Sequence, residues 1–404
     1  MRSGVEYAAE RGGVGGMRSG VVCAAVCPGY DHQSDLVWAE VRLDHLQHNL
    51  RVIRDRLPSD VKFMAVVKAG GYGHGLVAVA VAAVAAGADA LAVSTYAEGV
   101  ALRQAEITQP ILILSPIQPE YADAAAELDL ELTVFQASWL AEASRLRTSQ
   151  KPLRVHIKLD TGMGRYGLRE RSEFEEMMPY LRAEDIEVVG VYTHFATANQ
   201  ADETYVREQF RTFQHMRMWV EEAGFGDVVA HCANSAAAIR YPELALDMVR
   251  VGAALYGILP VDREVVEDLE DVKLMPTLSI RTKIRHVKKV AAGRSVSYDR
   301  SYRPAADEWI ATLPIGYADG WFRGYSGCQV LIGGQRFPIV GNICMNQTMI
   351  RIPSEMPIGT QVTLLGVDGE ASVTLDELAE HIGSIPQQVL VMLSERLPRV
   401  YRWS

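Results

Sequence analysis

Residues 66–75 of the chain, V-V-K-A-G-G-Y-G-H-G, set one lysine between an apolar run and a glycine-rich turn. Ahead of Lys68, the residues Phe63, Met64, Ala65, Val66 and Val67 read as a short strand buried on both faces. Lys68 then stands at that strand's carboxyl end. A flexible amine there, partly desolvated so that its pKa falls, suits Schiff-base chemistry. The plain alternative is a surface lysine whose stem lies along apolar neighbours. Other groups of the same kind follow. K-L-D-T-G-M-G-R carries Lys158, Asp160 and Arg165, Y-T-H-F-A-T carries His194, H-C-A-N-S ends in Ser235, and R-V-G-A holds Arg250 and Gly252. Singly, His194 reads equally as a core histidine and 160–165 as a tight loop. Jointly they are improbable as accidents.

The elements that must position these residues alternate. Strand-like runs lie near 62–67, 90–94, 111–115, 131–135, 153–159, 187–193, 228–231 and 246–250, with helical stretches between them such as 76–86 and 205–222. In the latter, Val206, Phe210, Phe213 and Val220 share one face, as core packing requires. A helix pattern from Trp38 (Val41, Leu43, Leu46, Leu50, Ile53) precedes the first of these strands. Eight alternations imply an α/β chain folded as a (β/α)8, TIM-type barrel. A doubly wound open sheet is the alternative, but no G-x-G-x-x-G follows an early strand. Reactive groups of such a barrel collect past the carboxyl ends of the strands, and phosphate is held by the loops after the last two. Lys68 follows the first strand, Lys158 and Arg165 the fifth, His194 the sixth, Ser235 the seventh, and Arg250 with Gly252 the eighth. A hydroxyl and a glycine backbone suit a phosphate. A lysine across from such a site implies pyridoxal 5'-phosphate, bound to that lysine. Beyond Pro260, strand-like alternation and glycine-rich turns take over. The expected division is a disordered extension over 1–35, the cofactor-binding barrel over 36–260 and a mainly β domain over 261–404.

Bulk properties narrow the class. At 404 residues the chain exceeds one ordinary core, and its net charge of −10 opposes recruitment by nucleic acid or an anionic membrane. Five scattered cysteines without a C-x-x-C argue against a disulfide framework or a zinc site, and for a reducing, cytoplasmic setting. No run is long enough to span a bilayer.

From about Trp38 to Arg399 the sequence resembles the alanine racemases. V-V-K-A-x-x-Y-G-H-G, D-T-G-M-G-R, T-H-F-A-T, H-C-A-N-S, V-S-Y, I-G-Y-A-D-G and I-C-M carry the resemblance across both domains. It implies a homodimer with shared active sites acting on a small amino acid, alanine by default. Lys68 would bind the cofactor and act as one base, and Tyr298, from the partner's β domain, as the second. Two bases on opposite faces are what racemisation requires. Arg250 would face the pyridine nitrogen, keeping it unprotonated because a guanidinium does not surrender its proton. His194 would pack beside the ring. Tyr72, Ser235, Gly252 and Ala253 would hold the phosphate. Arg165 and Met345 would take the substrate carboxylate, with Tyr317, of I-G-Y-A-D-G, also at the substrate. Lys158 matches a lysine that is often carbamylated in the family.

The departures from the family pattern cluster. Gly70-Gly71 replaces Asn-Ala, and Asp299 replaces the glycine after V-S-Y. Asn199, Asn342 and Asn346 stand where charged groups are usual. Glu395 replaces a tyrosine that helps hold the phosphate. A carboxylate near a phosphate is repelled by on the order of 1–4 kcal/mol at moderate screening. Glu395 is therefore expected to turn away, protonate or meet a cation, and the rewritten gate leaves open a racemase or epimerase for serine or another polar or basic amino acid. A non-catalytic pyridoxal-phosphate-binding protein on the same barrel is the alternative of another class. The β domain and Tyr298 argue against it.

Overall fold

The computed structural model describes residues 36–403; the expectation for residues 1–35 falls outside them. After strand β1 (Val37–Arg42) and a helix over Leu43–Arg54 come eight short strands: β2 (Lys62–Val66), β3 (Ala90–Val93), β4 (Ile111–Ile113), β5 (Leu130–Val134), β6 (Leu153–Lys158), β7 (Ile186–Tyr192), β8 (Val229–His231) and β9 (Met248–Val251). They pair in parallel in the order β8-β7-β6-β5-β4-β3-β2-β9. The seam between β8 and β9 is bridged by Asp247 N–H to the Ala230 carbonyl at 3.2 Å and Arg250 N–H to the Ala233 carbonyl at 3.0 Å, so the barrel is nearly closed. Helices cover its outside because the strands' outward side chains are apolar. The helix Thr204–Glu222, for example, buries Val206, Phe213 and Val220 against them.

Residues two apart on a strand share a face, and this sorts the barrel interior. Met64, Val66, Ala90, Ala92, Leu112, Tyr192 and Met248 form its apolar part. Glu131, Thr133, His156, Lys158, His231 and Arg250 are buried with them. A parallel barrel usually fills this space with branched aliphatic side chains. Here one side of it is polar.

The β domain consists of β10 (Leu278–Lys283), β11 (His286–Val290), β12 (Glu308–Leu313), β13 (Gln329–Ile332), β14 (Gln335–Pro338), β15 (Thr348–Ile352), β16 (Gln361–Asp368), β17 (Ala371–Val373) and β18 (Arg399–Arg402), with helices at Leu375–His381 and Pro386–Val391. One sheet runs β14-β13-β16-β10-β1-β18 with β17 against β16, and a second runs β11-β12-β15.

The first segment differs from expectation. Residues 37–42 form a strand, and the helix begins only at Leu43. V-W-A-E-V-R alternates buried and half-buried positions with a period of two, which outweighs the helical spacing of Val41 and Leu43. β1 pairs antiparallel with β10 and parallel with β18. Residues 37–42 thus belong to the β domain's sheet rather than to the barrel, and they tie the two parts together.

Candidate active site at the barrel mouth

Lys68 directly follows β2, and what comes after it is a single left-handed turn: φ is +55° at Ala69, +62° at Gly70, +65° at Gly71, +50° at Tyr72 and +78° at Gly73. An L-residue in that conformation costs about 1–2 kcal/mol. With glycine at three of the five positions, only Ala69 and Tyr72 bear that cost, which gives Gly70-Gly71 a physical reason. Side chains hold the turn beside its own backbone hydrogen bonds. Gly70 N–H donates to Glu98 at 3.1 Å, the Arg399 Nε–H donates to the Gly73 carbonyl at 3.0 Å, and His74 Nδ1 lies 2.9 Å from the Tyr72 carbonyl.

The turn throws the Tyr72 ring back over the mouth, where it stacks on Tyr256 with ring centroids 4.5 Å apart. Its hydroxyl then meets the loops after β8 and β9. A Cβ on Gly252 would lie 2.5 Å from that oxygen, and the Ser235 hydroxyl accepts from Gly252 N–H at 2.9 Å. The Tyr72 and Ser235 hydroxyls and the backbone at Gly252 and Ala253 thus form a cup of neutral donors, open only because position 252 has no side chain. Burial pushes the Tyr72 phenol up to about 12, so it stays a donor. These groups fit a phosphate. Gly252→Ala should displace the Tyr72 ring at a cost of about 1–3 kcal/mol. Cofactor affinity, measured by titrating the apoprotein, should fall by roughly tenfold or more.

A cavity of about 700 Å³ opens above the strands, lined among others by Lys68, Tyr72, Lys158, Arg165, His194 and Arg250. Burial, and then the charges of Arg165 and Arg250, lower the Lys68 amine below the usual lysine range. Lys158 is lowered to about 7 by burial and by Arg250; its amine donates to the Leu159 carbonyl at 2.7 Å. Arg250 is fixed on its inner side. Nη1 donates to His231 Nδ1 at 2.9 Å and to the His231 carbonyl at 3.1 Å, and Nη2 to the Thr193 carbonyl at 2.7 Å. Nη2 also lies 3.2 Å from His194 Nδ1. Burial and then the Arg250 charge push His194 well below the usual imidazole range, so it is neutral and can accept from the guanidinium. In the D-T-G-M-G-R loop, Asp160 accepts from the N–H groups of Gly162 and Gly164 and pairs with Arg169 at 2.9 Å, which shapes the loop that carries Arg165.

The other expected site residues lie elsewhere on the chain. Asn199 lines the cavity and donates to Asp262 at 2.8 Å. Tyr298, Met345, Tyr317, Asn342, Asn346 and Glu395 do not line it. Tyr298, Met345 and Tyr317 are 66%, 55% and 44% exposed on the β domain. Asn342 donates to the Tyr298 carbonyl at 3.2 Å and to Asp299 at 3.1 Å, and Ala318 N–H donates to the Met345 carbonyl at 3.0 Å. Asp299 has φ of +59°. That conformation is free for the family's glycine and tolerable for aspartate. Glu395 is exposed and does not line the cavity. Sequence reasoning missed Glu131, His156 and His231 behind Arg250. His156 could have been found, since it stands two residues before Lys158 and must share its inward face.

Family models decide what this site belongs to. The alanine racemase N-terminal domain matches residues 41–260 and the alanine racemase C-terminal domain residues 277–401. The chain belongs to the alanine racemase family. The alanine racemase of Geobacillus stearothermophilus is 42% identical over 365 residues, 90% of this chain and 93% of that protein. The solved structure of the Bacillus anthracis alanine racemase with bound L-Ala-P superposes with a TM-score of 0.88 at 44% identity, covering 90% of this chain and 94% of that one. A histidine racemase from Leuconostoc mesenteroides shares the fold at a TM-score of 0.82 and 30% identity, covering 92% of this chain and 99% of its own. As an alanine racemase family member the protein is an amino-acid racemase, and the family depends on pyridoxal 5'-phosphate. Lys68, the hydroxyl cup and Arg250 fit that cofactor.

Proposed function

We propose that the protein interconverts L- and D-alanine with Lys68 and Tyr298 as its two bases, in active sites shared across a homodimer. The observation that carries this reading is the division of the expected residues between two faces of one chain. Lys68, Arg165 and Arg250 line the cavity, whereas Tyr298, Met345 and Tyr317 are exposed on the β domain. A second copy that set the β-domain patch over the mouth would complete both sites by symmetry.

Bound pyridoxal phosphate supplies the electron sink that makes the α-proton of an amino acid acidic. The chain's own residues do the rest. The lowered amine of Lys68 moves the proton on one face of Cα, and the Tyr298 phenol of the partner subunit moves it on the other. Arg250 with Arg165 brings two guanidinium groups to the mouth. Arg250 would face the ring nitrogen and, since a guanidinium only donates, would keep that nitrogen unprotonated and so restrain decarboxylation and transamination. Arg165 and the Met345 N–H of the partner subunit take the substrate carboxylate. Lys158 is suited to carbamylation, because carbon dioxide adds to a neutral amine and this one titrates at about 7. The resulting anion would lie among Arg250 and Arg165 and orient the latter. Carbamylation should therefore increase as pH rises through 7, read as a carbonyl signal from ¹³C-bicarbonate that Lys158→Ala abolishes. A Lys158→Ala enzyme with unchanged KM for alanine would contradict the role.

The test of the function is incubation with each common amino acid in deuterated water, following α-proton exchange together with chirality. Alanine should exchange and racemise in step. Exchange without inversion, or none with alanine, would overturn the reading.

A second reading, a racemase for a polar or basic amino acid, is supported by Glu395 in place of the family tyrosine and by the histidine racemase of the same fold. Sites that satisfy a polar group discriminate against substrates lacking it far better than apolar pockets reject a missing methylene. On this reading serine or a basic amino acid is turned over at least comparably to alanine, and Glu395→Tyr moves the preference toward alanine. A strict alanine racemase indifferent to Glu395→Tyr would remove it.

A further inference from the structure

Inside the barrel, behind the site, runs a line of buried polar contacts that none of the roles above uses. Arg250 Nη1 lies 2.9 Å from His231 Nδ1, His231 Nε2 lies 3.0 Å from His156 Nδ1, and His156 Nε2 lies 2.9 Å from Glu131 Oε2. The four side chains come from β9, β8, β6 and β5 and are all buried. Gly190 on β7 leaves the space, since a Cβ there would lie 2.1 Å from His156 Nδ1.

Both ends of the line dictate its polarity. A guanidinium only donates, so His231 must accept at Nδ1. Its imidazole is neutral, held well below its usual range by burial and by the Arg250 charge, so its one proton sits on Nε2. His156 then accepts at Nδ1 and donates from Nε2, and Glu131 must accept as a carboxylate. Burial raises the Glu131 carboxyl, but the hydrogen bond from His156, with the charges of Arg154 and Arg103 beside it, leaves it below the usual range. The reverse polarity, starting from a protonated Glu131, would point two N–H groups at each other where His231 meets Arg250. Only one arrangement makes all three contacts.

We propose that Glu131 is a positioning residue for Arg250: its carboxylate fixes the tautomers of His156 and His231 and balances the buried guanidinium across them. Nη1 and Nη2 are then committed to the barrel wall, while Nε has no acceptor among the described residues and is left for the cofactor ring. The inference rests on the racemase reading above. It adds a residue some three side chains behind the ring that governs which reaction the cofactor follows.

Glu131→Gln tests it in the holoenzyme. The amide keeps the shape, loses the charge, and can donate as well as accept, so the line is free to reverse and Arg250 to loosen. Water can then protonate the ring nitrogen, which favours the side reaction with alanine. In that reaction the alanine amino group displaces the Lys68 amine at the cofactor carbon that carried it, the α-proton leaves Cα and a proton is added at that cofactor carbon; water then adds at Cα and supplies the keto oxygen of pyruvate, and the nitrogen stays behind as pyridoxamine phosphate. We expect pyridoxamine phosphate formed per racemisation event to rise on the order of tenfold. The pH dependence of the resting enzyme's visible absorption should also shift, with a melting temperature close to wild type. Glu131→Ala should move both readouts the same way. An unchanged partition and an unchanged absorption profile in both variants, whatever their melting temperatures, would overturn the proposal. The absorption profile needs only bound cofactor, so it decides the role of Glu131 even if the wild type proves to racemise no amino acid, a result that would strike the racemase reading alone.

Discussion

Lys68→Ala is expected to abolish covalent attachment of pyridoxal phosphate and to lower racemisation by at least ~10⁴-fold, the scale on which loss of one member of a catalytic unit is felt. The expectation follows from position. Lys68 is the amine that enters the cavity from the end of β2, and the left-handed turn behind it sets Tyr72 over the phosphate cup. The side chain carries no hydrogen bond that holds the fold together among the described residues, and its amine is lowered chiefly by burial. The variant should therefore fold, with an unchanged circular dichroism spectrum, and bind the cofactor only reversibly. The check is borohydride reduction followed by mass spectrometry of the peptide over 62–72. A Lys68→Ala protein that still acquires reducible, covalently fixed cofactor would place the linkage at another amine, and Lys158 is the candidate that lines the same cavity.

Tyr298→Phe should leave cofactor binding intact while lowering racemisation in both directions by on the order of 10²–10⁴-fold, the usual range for a positioned acid or base. Both directions suffer because each needs one base to take the α-proton and the other to return one. Tyr298 is 66% exposed on its own chain, so the loss of its hydroxyl leaves no buried group unpaired in the monomer. Removing Lys68 stops the chemistry by removing the linkage. Removing the Tyr298 hydroxyl should leave the α-proton exchangeable from one face, so one enantiomer of alanine would still exchange its α-proton in deuterated water without inverting. Near-normal turnover would mean that another group serves as the second base.

Much of this was legible in the sequence. The eight barrel strands were readable because each is a short apolar run between helical stretches, and the residues just past their ends were readable because a parallel barrel puts its chemistry there. β1 was not, since V-W-A-E-V-R runs into L-D-H-L without a break and Val41 with Leu43 fits either period. Its partners, β10 and β18, lie more than 200 residues away in sequence, a pairing that no local pattern can announce. The strain at the lysine turn was hidden as well. Gly70-Gly71 looked like a departure from the family, and five successive positive φ values show what it relieves. Glu131 was passed over because an inward polar residue on a barrel strand resembles an outward one until the register is known. Glu395 was expected to turn away, protonate or meet a cation, and its side chain is exposed outside the cavity.

The measurement that tests the shared two-base site most directly is complementation between two inactive variants. Lys68→Ala and Tyr298→Phe chains, each dissociated and then mixed in equal amounts, should form mixed dimers in half of all pairings. Each mixed dimer holds one site with both bases and one with neither, so activity should return to about one quarter of wild type, as symmetry of the dimer requires. Mixed dimers proven by differently tagged chains that recover no activity would contradict the account and place both bases in one chain.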